Sequence, residues 1–429
     1  MTEKRKMAPP QVPSSHPPPA PPIEPRDSSL VSVRDAAISH VTGRNGMPKL
    51  EMVHASGSKC DVYLFGATIT SYETASGEEV LYTSPLASFD GRQAIRGGIP
   101  IVFPCFGASE SNKAMPSHGF ARIMAWTVRA ARKLSWIFRY SPPARLSRLL
   151  FHFTSPQVDE RQTAVQPDGS IQVVLHLSDS SETKQKYGFK YDFNLEYAVK
   201  LTGRSLQTAL TVTNPRLVEI EEGFQCLLHT YLALPESTTL DEVAVHGLHG
   251  ANYIDKNDNR QEKIETRASR RDRDTGDFIS GGVRITEATD RIYKAGTGDL
   301  RTVAGAEVHF FRNDAPKQKC AITVVEATCS RAANTTWSGA TPSPDIVLWA
   351  PFSVSFGVAY TSHFYISSSG RTYMCPTPLL FIFQPSKAPA DLGNGCERMI
   401  CVEPGLVSTP IKTLINGRMT LTQTITHES

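Results

Sequence analysis

Moving a proton between two oxygens of a small molecule needs one group that gives and one that takes, and this chain offers both. His229 sits in Cys226-Leu227-Leu228-His229-Thr230-Tyr231-Leu232, where an imidazole interrupts a run of apolar and β-favouring residues. An imidazole flanked in this way is either a core histidine satisfied by its neighbours or a held acid/base. Glu403 closes Met399-Ile400-Cys401-Val402-Glu403, a carboxylate at the end of an apolar strand. Burial would raise its pKa toward the range of exchange near neutrality; the alternative is a glutamate leaving the core where the strand stops.

Two arginines could hold an anion. Arg96 precedes Gly97-Gly98-Ile99-Pro100, and paired glycines let a backbone approach a ligand or a neighbouring strand closely. Arg122 ends Ser117-His118-Gly119-Phe120-Ala121-Arg122. A guanidinium fork suits phosphate or carboxylate, so the pair reads as an anion clamp if the fold unites them and as two turn arginines if it does not. Asp255, in Gly250-Ala251-Asn252-Tyr253-Ile254-Asp255-Lys256, either accepts sugar hydroxyls or begins a loop. There is no G-x-S-x-G elbow, Walker A loop, HExxH or dinucleotide fingerprint. Histidine, carboxylate and arginines without an evident metal or cofactor suit proton transfer on a small anionic substrate.

The elements that must position these groups read as strands. Phe189, Tyr191, Phe193, Leu195, Tyr197, Val199 and Leu201 alternate with mainly polar residues, and Leu206, Thr208, Leu210 and Val212 resume the pattern after a turn at Gly203, which predicts a hairpin. Leu50–Val53, Asp61–Phe65, Val80–Thr83, Ile171–Leu177, Val218–Leu232, Ile322–Val325 and Met419–Ile425 are further predicted strands. With little helical periodicity, the class is all-β and mainly antiparallel, a large sandwich. Residues 1–30, rich in proline, serine and charge, read as a disordered tail before one domain over 31–429. Three stretches break the texture: the basic run 129–153, the mixed run 353–386, and the polar run Lys256–Asp274, the last expected to be a solvated loop.

The 429 residues carry a net charge of +3, too mild to indicate nucleic acid or a membrane surface. No apolar run reaches the ~20 residues that span a bilayer, and the N-terminus lacks a secretory h-region. The eight cysteines are scattered without CxxC or metal-ligand spacing, which reads as reduced thiols in a cytoplasmic protein.

Taken together and in order, Ile95-Arg96-Gly97-Gly98-Ile99-Pro100, His118-Gly119-Phe120-Ala121-Arg122, Leu228-His229-Thr230-Tyr231, Gly247 to Lys256, Asp290-Arg291-Ile292-Tyr293 and Cys401-Val402-Glu403-Pro404-Gly405 resemble the glucose-6-phosphate 1-epimerase (hexose-6-phosphate mutarotase) family. The resemblance implies a galactose mutarotase-like β-sandwich that interconverts the α and β anomers of hexose 6-phosphates. It implies His229 as general acid on the ring oxygen and Glu403 as general base on the anomeric hydroxyl. Arg96 and Arg122 would bind the 6-phosphate, and Ser117, His118 and Asp255 would lie near the sugar. No cofactor, metal, nucleic acid or membrane is implied, and the expected state is a monomer.

The chain departs from the family's pattern where Ser117 replaces a glutamine, where Ala350-Pro351-Phe352 replaces Asn-Pro-Trp, and where Leu406 replaces a histidine. The runs 129–153 and 353–386 fall where the family has shorter connections, and read as atypical insertions such as translated intron. Two rival readings follow: a catalytically weakened sugar-phosphate-binding or regulatory protein, and an aldose 1-epimerase acting on unphosphorylated sugars, against which the arginine pair argues.

Overall fold

The computed structural model describes residues 36–128, 164–166, 168–216, 220–236, 238–271, 273, 278–294, 297–298, 305–312, 315–331, 345–350, 358–366, 372–380, 390–411 and 417–428. The tail of residues 1–30, the run 129–153 and the remainder of 353–386 lie outside them. Among the described residues the strands form one four-stranded, one ten-stranded, one eight-stranded and two two-stranded sheets, and every pairing between them is antiparallel. The fold is all-β and antiparallel, as the alternation indicated. No helix among the described residues is long and apolar enough to cross a membrane.

The hairpin reads from sequence almost directly. Asn194–Leu201 buries every second residue and pairs with Ser205–Thr213 in the register Leu201↔Leu206 and Tyr197↔Leu210. Its turn closes because the Thr202 hydroxyl accepts from the amides of Arg204 and Ser205, leaving Gly203 free of side-chain demands. The same face continues through Ile171–Ser178 and Gly417–Glu428, so the apolar stripes stack into one core with Phe193, Tyr197 and Val199 fully enclosed.

The eight-stranded sheet carries the chemistry. Its order is Gln261–Ile264, Asn252–Asp255, Thr289–Tyr293, Asp345–Ala350, Met399–Ile411, Phe224–Leu228 and Ile101–Val102, with Tyr231–Ala233 also on Met399–Ile411. One face joins the main core through Leu348, Ile400, Val402 and Tyr293. The other holds smaller apolar groups: Val102, Leu227, Ile292 and Val407 in one patch, Tyr231, Leu392, Met399 and Cys401 in another.

Phe103 anchors the approach to this sheet. Its ring meets Phe120, Phe189, Phe193 and Phe224 at centroid distances of 5.2–5.9 Å. Burying one such ring stabilises by about 2–3 kcal/mol. Gly98 explains the paired glycines upstream: at φ +68° a Cβ would lie 1.9 Å from the Ile69 carbonyl oxygen, so the close approach is to a neighbouring strand.

Four expectations are corrected. Val80–Thr83 is not a strand but isolated bridges to Leu232 and Gly97. Val218–Leu232 is not continuous: it breaks between Leu228 and Tyr231. Lys256–Asp274 is not a plain loop, because Gln261–Ile264 and Ser269–Arg271 pair with Asn252–Asp255 and Phe278–Gly281. Glu403 does not end its strand, which runs on to Ile411. Within the mixed run, Val358–Ile366 and Thr372–Leu380 pair as an antiparallel ribbon.

Candidate active site

The break after Leu228 is what presents His229. Its amide donates to the Pro100 carbonyl at 3.0 Å, and the Tyr231 amide donates to the Gly98 carbonyl at 2.9 Å. On the other side Val402 donates to the Thr230 carbonyl at 3.1 Å, and the buried Thr230 hydroxyl bonds the Gln423 side-chain amide. The chain around His229 is therefore stitched to two strands and to the Gly98–Pro100 segment, and the imidazole position follows from the backbone.

Glu403 comes from the neighbouring strand. Alternation puts Cys401, Glu403 and Val407 on one face, and the Glu403 carboxyl reaches His229, with Oε1 3.3 Å from Nδ1. Glu403 is fully buried and its carboxyl oxygens have no hydrogen bond in good geometry among the described residues. Burial, and then Asp290, push its pKa well above the ordinary glutamate range; Lys256 and Arg122 pull the other way. Burial also holds His229 well below the usual imidazole value, helped by His118, Arg122, Arg96 and Lys256. Both shifts disfavour the charged forms, and so oppose an ion pair between the two groups.

Tyr231 stacks on His229 with centroids 4.6 Å apart, and His118 meets the imidazole edge-on at 5.6 Å. His118 has a left-handed backbone, φ 63°, and its amide donates to the Gly107 carbonyl at 2.8 Å. Burial and then Arg122, Lys256 and Arg96 depress its pKa to about 3.

Both arginines border the pair closely enough to bias its protonation. Arg96 Nε donates to both Asp391 carboxylate oxygens at 3.0 Å, and Arg96 Nη1 donates to the Tyr231 hydroxyl at 3.2 Å. Arg122 Nη2 donates to the Ser117 carbonyl at 2.8 Å, while its Nε is buried without a hydrogen-bond acceptor among the described residues. Burial lowers Arg122 to about 10, with Arg96 pushing the same way. The charge of Arg96 reaches Arg122, and the spare donors of the two guanidiniums are of the kind that suits an anion.

The predicted residues therefore do not all gather. His229, Glu403, His118, Arg96 and Arg122 do. Ser117 is exposed and touches the cluster through its backbone carbonyl, which any residue would supply, so the change from glutamine leaves that link intact. Asp255 points to the opposite sheet face, where Lys263 Nζ lies 3.0 Å and Arg291 Nε 4.0 Å from its carboxylate. One residue further, Lys256 faces the site and pairs with Asp290 at 2.8 Å. Asp290 shares the Cys401 row, since Asp290 pairs Trp349 and Trp349 pairs Cys401. Its Oδ1 is buried without a hydrogen-bond partner among the described residues, which leaves it open to a hydroxyl. Sequence reasoning missed Lys256, Asp290, Tyr231 and Asp391 as members of the cluster. The signal for the first two was parity along Asn252–Lys256 and Thr289–Tyr293. Leu406, of opposite parity to Glu403, faces the core, so that departure stays clear of the site.

His229, Cys401 and Glu403 are also the nearest approach to a metal set among the described residues, their ligand atoms lying within 4.8 Å of one another.

The histidines give a pH test with a definite sign. His118 titrates at about 3 when folded against 6.5 as its ordinary value, so unfolding takes up a proton between those limits. Stability is retained above pH 6.5 and lost as pH falls toward 3. His229 acts in the same direction, whereas Glu403, with its raised pKa, loses stability as pH rises above the usual glutamate value. The drop in thermal midpoint between pH 7 and pH 5 should be smaller in His118→Asn than in wild type; equal drops would contradict the assignment.

Among known proteins, residues 48–154 match the family model described as aldose 1-epimerase. A protein of Cenchrus ciliaris, provisionally named a glucose-6-phosphate 1-epimerase, is 23% identical over 368 residues, covering 86% of this chain and 80% of that relative. One of the same provisional name from Escherichia coli K12 is 27% identical over 260 residues, covering 60% of this chain and 67% of that relative. A crystal structure from Salmonella typhimurium, provisionally titled a mutarotase, superposes with a TM-score of 0.57 at 20% identity, covering 91% of this chain and 94% of that one. The last likeness shows the fold.

Proposed function

We propose that this chain interconverts the α and β anomers of glucose 6-phosphate and related hexose 6-phosphates, a reading supported by the match of residues 48–154 to the aldose 1-epimerase model and by the similarity to the two relatives above. The observation that carries this reading is the buried His229–Glu403 pair, 3.3 Å apart, bordered by Arg96 and Arg122. The arginines favour a phosphorylated sugar over a free one, because an uncharged sugar would leave both guanidiniums without an anion.

The reaction follows from the proton count. Burial disfavours the charged form of both groups, so the cycle is written with the proton starting on Glu403. A phosphate dianion on the arginines offsets the positive charge that adds to burial in depressing His229, and the proton moves to the imidazole. The imidazolium then protonates the ring oxygen while the carboxylate takes the proton of the anomeric hydroxyl, and the C1–O5 bond opens to an aldehyde. The pair is again neutral on both sides. Rotation about C1–C2 exposes the other carbonyl face, and the same two transfers in reverse close the ring as the other anomer. Asp290 and His118 are placed to receive sugar hydroxyls.

The test is polarimetry on freshly dissolved α-glucose 6-phosphate, with α-glucose in parallel. Acceleration above the buffer rate for the phosphate, and much less for the free sugar, is the expected result. Equal acceleration of both would point to an unphosphorylated substrate, and tight binding without acceleration would overturn the anomerase reading.

A further inference from the structure

Tyr231 touches both halves of the site and belongs to neither. Its ring lies under His229 with planes 11° apart. Its hydroxyl accepts from Arg96 Nη1, on the side of the guanidinium away from Asp391, which takes Nε. Asp391 is itself fixed, because its backbone carbonyl accepts from the Ser84 hydroxyl at 2.6 Å and the Ser84 amide donates to the Arg96 carbonyl at 3.0 Å. Two of the five guanidinium protons are thereby spent on orientation, and the rest of the fork is left for an anion. Tyr231 is only 1% exposed, so its own reach to a ligand is minimal.

We infer that Tyr231 is a positioning residue: its ring sets the plane of the His229 imidazole and its hydroxyl sets the direction of the Arg96 guanidinium, so one rigid side chain fixes the distance between anion grip and proton donor. A tyrosine suits this because it has few rotatable bonds and no freedom to stretch, unlike a lysine or glutamine spanning the same gap. Neither contact alone would make the case. A stacked ring is common packing, and a buried hydroxyl needs some partner; here one side chain supplies both to the two groups that the proposed reaction must keep in register.

The inference rests on the anomerase reading for its kinetics and stands apart from it in binding. Tyr231→Phe keeps the ring and removes the hydroxyl. It should raise KM for glucose 6-phosphate by about 3–10-fold, more than it lowers kcat, and weaken inorganic phosphate measured by calorimetry by a similar factor. If Tyr231 acts through Arg96, that penalty disappears when the same change is made in Arg96→Ala; a direct contact with phosphate would leave it undiminished. Tyr231→Leu removes the ring as well and should shift the pH profile of kcat and the C2-proton resonance of His229, which Tyr231→Phe should not. Wild-type phosphate affinity in Tyr231→Phe, a penalty that persists without Arg96, or identical pH profiles in the Phe and Leu variants would each overturn the inference. Should wild type show no anomerase activity, the reading of function fails, while the phosphate titration and the His229 resonance still decide the role of Tyr231.

Discussion

Glu403→Gln should lower kcat for glucose 6-phosphate anomerisation by roughly 10²–10⁴-fold, with little change in KM and no loss of thermal stability. The size follows from losing one of two proton-transfer groups. The silence in stability follows from the environment: the wild-type carboxyl is fully buried, with its charged form disfavoured by burial and without a hydrogen bond among the described residues, so an uncharged amide of the same shape replaces it at little cost. His229→Ala should cost a similar factor in kcat but also some stability, since it empties the space between Tyr231 and His118. The double variant should be scarcely slower than either single one, because the two groups act as a unit on one shared proton. Exchange spectroscopy of the two anomers of glucose 6-phosphate at equilibrium measures these rates directly. Retention of a tenth or more of wild-type kcat in Glu403→Gln would exclude it as the base.

Arg96→Ala and Arg122→Ala should each lower kcat/KM for glucose 6-phosphate by roughly 10–10²-fold, the usual weight of a charge-assisted hydrogen bond to phosphate. Free glucose should respond differently. Both guanidiniums depress His229, so removing either raises its affinity for a proton and moves the residual activity on the free sugar toward higher pH. The signature is a split in which the phosphorylated substrate is lost and the free one is shifted. Arg122 is the cleaner probe, because Arg96→Ala also strands Asp391 without its cation. Rates for both sugars across pH in the two variants provide the check, and parallel losses for both sugars would mean that the arginines support the fold rather than the phosphate.

The strands were legible wherever one face is wet. Phe193, Leu195, Tyr197, Val199 and Leu201 announce their strand because solvent on the other face forces polar residues between them. Val80–Thr83 misled for the complementary reason: Val80 and Leu81 are buried and apolar as in a strand, yet its backbone hydrogen bonds go one at a time to Tyr72, Ala233, Tyr231 and Gly98. The site was half legible. The types and order of His229, Glu403, Arg96 and Arg122 carried it, whereas the choice between Asp255 and Asp290 depended on sheet parity. A strand of four residues, Asn252–Asp255, with one polar and one apolar residue on each face gives no sequence cue to which side is the pocket. Glu403 was hidden in the same way: a carboxyl so deeply enclosed follows an apolar run just as a strand-ending charge would.

The link from Thr230 to Gln423 spans 193 residues of sequence. Gln423 lies on Gly417–Glu428, which pairs on one side with Ser205–Thr213 and on the other with Ala315–Arg331. A strand that leaves synthesis late therefore occupies the middle of the ten-stranded sheet and braces the turn that presents the histidine. Until it inserts, Thr230 lacks its partner, and the sheet above it is split into two halves. A chain lacking that strand would hold every group proposed for proton transfer in its sequence and is expected to be inactive, with activity appearing on closure of that seam rather than strand by strand.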